Sequence, residues 1–252
     1  MKLKKIASLA LAGILAVSML AGCKDGAGNN GGQLPPEDDD NAAGYSVQLG
    51  DKVNDAVKAK TYIHFVDNAN DQAALEDALG NLGLVNGAVS VLPETLVHVS
   101  KKSDTELSDG VLAIWENNAW DGAAVVRVID NFATAVESQN LWLDVGAINN
   151  EAFGWENHDR DDEFAPSTCA ALFVIGSSVK IDKALEQVAD AVEGQLADLV
   201  NSDDGDGDGD SAVTYDYDVS VSVVEKPVTA IDWVDASANF IAVTVTRTVT
   251  QE

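Results

Sequence analysis

The chain has 252 residues, 42 acidic against 15 basic, and a formal net charge of −27. A field of that sign repels nucleic acid phosphates and anionic lipid head groups, and it favours solubility, divalent cations and basic partners. Hydrophobic residues make up 46% of the chain, which excludes an acidic disordered polymer and leaves a globular protein.

The amino end is a secretory signal. Lys2, Lys4 and Lys5 form a positive n-region, and Ile6 to Leu20 form an apolar run too short to span a bilayer of roughly 30 Å comfortably. The run ends in Leu20-Ala21-Gly22-Cys23. This resembles the lipobox of bacterial lipoproteins. The resemblance implies cleavage before Cys23, a diacylglycerol on its sulfur, and a chain anchored to a membrane without spanning it. It places the protein outside the cytoplasm, and the style of the signal points to a Gram-positive surface. Loss of the three signal lysines leaves 12 basic residues against 42 acidic ones, a mature net charge of −30.

Residues 23–44 follow as the lipid-bearing cysteine and a tether rich in Gly, Asn, Pro and Asp. With almost nothing to bury, it is expected to stay disordered, with a coil span of roughly 25 Å and a full stretch of about 70 Å. Residues 45–252 form the extracytoplasmic module, with room for one core or for a subdivision near 150–165.

Within the module, Val53, Ala56, Val57 and Lys60 suggest a short helix over Asp51 to Lys60, and TYIHFV, Thr61 to Val66, reads as a strand. Ala74, Leu75, Ala78, Leu79 and Leu82 line one face of a helix over Asn70 to Leu82. Asn68 or Asn70 is its cap, and Gly83 lies beyond its end. LVHVS, within Glu94 to Ser100, is a strand. Leu107, Val111, Ile114 and Trp115 predict one helix. Val125, Val128, Ile129, Phe132 and Val136 predict another, with Asp121-Gly122 as the break between them. A strand over Leu141 to Ile148 precedes a polar loop, NNEAFGWENHDRDDEFAP.

Ala170 to Ile175 reads as a buried strand, and Val179 to Val200 as an amphipathic helix with Ile181, Leu185, Val188, Val192, Leu196 and Leu199 on its apolar side. Val213 to Val224 alternates, with Tyr215, Tyr217, Val219, Val221 and Val223 opposite Asp216, Asp218, Ser220 and Ser222. Phe240 to Val249 alternates again, with Ile241, Val243, Val245 and Val249 opposite Thr244, Thr246 and Thr248. These two are expected to lie antiparallel in one sheet with a water-facing side. The order predicts an α+β fold: a mainly antiparallel sheet with helices packed on one face.

Three stretches carry candidate chemistry. In NSDDGDGDGDSAV, Asp204, Asp206 and Asp208 stand where an EF-hand loop needs oxygen ligands, Gly209 stands at the turn, and Asp210 could offer its carbonyl. Position 12, which should chelate with two oxygens, is Tyr215, and Tyr215 belongs to a strand rather than to an exiting helix. The loop is either a calcium site or a charged connector; its all-oxygen composition suits no softer metal. In WENHDRDDEF, Glu156, His158, Asp159, Asp161, Asp162 and Glu163 are either a divalent-ion loop or a solvated one. Trp115, Trp120, Trp142, Trp155 and Trp233 either stack on sugar rings or seal core edges.

No catalytic motif emerges. There is no G-x-S-x-G, no S-x-x-K at a helix start and no glycine-rich phosphate loop, and no catalytic residue is assigned. Cys169, in the apolar run STCAALFVIG, reads as a small buried hydrophobe. His64 and His98 lie in strands, facing either core or solvent. The expectation is a lipid-anchored binding or envelope-structural module with no cofactor, unless calcium binds over residues 203–210. The alternative is a carbohydrate-binding protein or a hydrolase using acidic residues. Envelope proteins and glycans are the partner classes, with no nucleic acid.

Overall fold

The computed structural model describes residues 44–80, 94–103, 106–107, 122–141, 166–203, 213–227 and 237–251. The chain divides into two compact units, Met1–Pro35 and Pro36–Glu252, and every described residue belongs to the second. In chain order its elements are helices α1 (Tyr45–Lys52) and α2 (Asp55–Lys58), strand β1 (Ile63–Phe65) and helix α3 (Ala69–Gly80). Strands β2 (Val97–His98), β3 (Lys101–Ser103) and β4 (Glu106–Leu107) precede helix α4 (Gly122–Ala135) and strands β5 (Ser138–Leu141) and β6 (Ser167–Gly176). Helix α5 (Ile181–Asp198) and strands β7 (Ser202–Asp203), β8 (Val213–Pro227) and β9 (Ser237–Gln251) complete the described chain.

The fold is α+β. Its main sheet runs β1-β8-β9-β6-β2, with β5 added to β6 and β7 to β8, and β3 pairs with β4 separately. Among the described pairings only β1–β8 and β5–β6 are parallel. β8 and β9 pair antiparallel without interruption from Val213↔Gln251 to Pro227↔Ser237. The period-two alternation of both segments leads to this ribbon, because β-branched and aromatic side chains fill one face of the pleat.

Helices cover both faces of the sheet, not one. On the first face, Tyr215, Tyr217, Val219, Val221 and Val223 of β8 join Ile241, Val243 and Val245 of β9 and Cys169, Ala171, Phe173 and Ile175 of β6. Leu185, Val188, Val192 and Leu196 of α5 close over them, with Leu49 of α1 and Val57 of α2. On the second face, Ala170, Leu172 and Val174 of β6 and Phe240 and Ala242 of β9 meet Leu75 and Leu79 of α3 and Ile129 and Phe132 of α4. The reason lies in β6. It is apolar on both phases, and a strand of that kind needs cover on both sides. The water-facing side expected for β8 is therefore only partial. Asp216 and Asp218 are exposed, but Ser220 and Ser222, expected to face water, are buried at 4% and 1% exposure.

Local differences have local causes. The helix expected over Asp51 to Lys60 is two helices, split at Val53 and Asn54, because the Asn54 side chain accepts a hydrogen bond from Val57 N–H at 3.1 Å and starts α2 anew. α1 begins earlier, at Tyr45, and its capping group comes from across the fold. Asp67 Oδ1 accepts from Ser46 N–H at 3.1 Å, and a Cβ on Gly44 would collide with that carboxylate. Leu107 lies in β4 rather than in a helix, and the rest of that predicted helix, 108–121, is outside the described residues. The strand expected from Leu141 starts at Ser138, and 142–148 lie outside the described residues.

Candidate functional site

The second face of the sheet changes character along the β8–β9 ribbon. One end lies under α3 and α4; the other, among the described residues, is open at Asp216, Asp218 and Thr248, though Ser138 at its β5 edge is buried. At the open end a polar row crosses five strands in register: His64 on β1, Asp218 on β8, Thr246 on β9, Thr168 on β6 and Ser138 on β5. Cross-strand neighbours of this kind stand about 5 Å apart, so the row is a continuous strip of hydroxyl, carboxylate and imidazole groups. Thr168 Oγ1 and Thr246 Oγ1 lie 3.1 Å apart and share a hydrogen bond. The next row outward pairs Asp216 with Thr248, and the one beyond pairs Thr214 with Thr250.

Electrostatics at this end are dominated by two carboxylates and one imidazole. His64 Nε2 lies 3.6 Å from Asp216 Oδ1, with the two side chains 48% and 60% exposed. Partial burial pushes the Asp218 carboxyl above its ordinary range; Asp216 adds to the shift and His64 opposes it. Where the open end meets α3, Asp71 in that helix's first turn is only 7% exposed. Ser220 Oγ donates a hydrogen bond to Asp71 Oδ2, and burial raises the Asp71 carboxyl despite it. The arrangement suits contact with amines or other hydrogen-bond donors. Among the described residues, no three His, Cys, Asp or Glu side chains converge in a way that could hold a metal ion.

A second polar group sits on the opposite face, at the carboxyl end of α5. Lys60 Nζ and Tyr62 OH donate to the Leu199 carbonyl at 2.8 and 2.9 Å, and Tyr217 OH donates to the Val200 carbonyl at 2.9 Å. Terminal carbonyls of a helix need such donors, and a cation there also complements the helix dipole. The Arg247 guanidinium stacks over the Tyr215 ring at 5.0 Å and is 2% exposed. Burial pushes the Tyr217 hydroxyl up to about 12 and the Arg247 guanidinium down. This group holds the end of α5 to the sheet.

Cys23, Asp204, Asp206, Asp208 and Asp210 lie outside the described residues, as do the Glu156–Glu163 loop and all five tryptophans. The flanks of the acidic loop are described. α5 ends at Asp198, and Asp203 pairs with Val213 and Ser202 with Thr214. The loop therefore joins two antiparallel strand ends and does not sit between two helices. Cys169 is fully buried and its thiol is pushed far up, which disfavours the thiolate a nucleophile needs. His98 packs against Phe173 with ring centroids 5.7 Å apart, and burial lowers it to about 4, so it is neutral in the fold. No family model, no curated protein and no solved structure matches the chain.

Sequence reasoning missed Asp71 and Arg247. Asp71 looks like an ordinary first-turn acid of an exposed helix end. Arg247 had a signal: it stands in the apolar phase of β9, between Val245 and Val249.

Proposed function

We propose that this chain is a membrane-anchored extracytoplasmic lipoprotein whose acidic α+β module serves binding or envelope structure and not catalysis. The observation that carries this reading is the Leu20-Ala21-Gly22-Cys23 motif behind a basic n-region and a short apolar run. The first described helix starts at Tyr45, next to the end of the tether expected over residues 23–44. Among the described residues, no helix is long and apolar enough to cross a membrane. The open end of the sheet, with Asp216, Asp218 and His64, supports the binding half of the reading, since it would meet a basic or amine-bearing partner with complementary charge. Growth of a Gram-positive host with an alkyne fatty acid tests the anchor. Label should appear on the wild-type chain, should vanish in Cys23→Ser, and should track with partition into detergent. A wild-type chain without label, or a mature chain that begins elsewhere than Cys23, overturns the reading.

A second reading is a calcium-tuned module using Asp204, Asp206, Asp208 and Asp210. It draws support from the β7–β8 pairing, which brings the two ends of the acidic loop together.

A further inference from the structure

We draw no further inference here: the strongest candidate, the shallow groove of about 270 Å³ between α1, α2 and β1, mixes apolar Val47, Val57, Ile63 and Phe65 with charged Asp51, Lys58 and Lys60, and nothing in the structure shows what covers it.

Discussion

Ser220, in the middle of β8, donates its hydroxyl hydrogen to Asp71, 149 residues earlier in the first turn of α3. Both residues are buried, and the bond pins the start of α3 to the sheet where the covered and open parts of its second face meet. The Asp71 carboxyl is raised above its unfolded value of 3.8, chiefly by burial. Its contribution is therefore fully present below that value and is lost as pH rises through the higher folded value. Replacement by Asn keeps a neutral acceptor for Ser220. Urea unfolding of both proteins from pH 3.5 to 7 should show Asp71→Asn gaining on the wild type as pH rises, and a constant difference would sink the assignment. Asp71→Ala should cost about 1–3 kcal/mol at low pH, because the buried Ser220 hydroxyl loses its acceptor.

The open row makes a directional prediction at Asp218. Asp216 raises its carboxyl and His64 lowers it. A carboxyl-carbon NMR titration should find Asp218 above the ordinary aspartate range. The midpoint should fall in Asp216→Asn and climb in His64→Ala. If neither substitution moves it, the three side chains do not form one electrostatic unit.

The two-faced sheet predicts equal vulnerability of helices on opposite sides. Leu185 of α5 and Leu79 of α3 are both fully buried, in separate clusters. Each Leu→Ala change should destabilise by about 2–5 kcal/mol in chemical unfolding. A loss below about 1 kcal/mol for Leu79→Ala would mean that α3 does not seal the second face.

The calcium reading predicts a melting shift in residues 45–252. With a site of about 0.1 mM affinity, 10 mM calcium should add about 2.7 kcal/mol, a rise of about 5–10 °C over chelator. The rise should disappear when Asp204 and Asp206 become Asn. No rise in the wild type would make the loop a charged connector between β7 and β8.

Much of the architecture was legible in the residues because its signals are local. The alternation of Val213 to Val224 and of Phe240 to Val249 predicted the antiparallel ribbon, and the Leu185, Val188, Val192, Leu196 stripe predicted α5; each pattern is written within one element. The extent of α1 was not legible, since Asp67 caps it from outside the helix. Nor was the burial of Ser220 and Ser222, which share their phase with the exposed Asp216 and Asp218.

The sequence by itself determined an acidic globular α+β chain, its two long strands and helices α3, α4 and α5. It also supplied the grounds for expecting a lipid anchor at Cys23. Only the tertiary structure decided that helices cover both faces of the sheet. It also placed Arg247 in the core and brought His64, Asp218, Thr246, Thr168 and Ser138 into one row. Periodicity gives the phase of a side chain within its own strand. Which strand lies beside it, in what register, and what covers the sheet there depend on pairings between residues far apart in the chain, from 28 positions for Asp218 with Thr246 to 154 for His64 with Asp218.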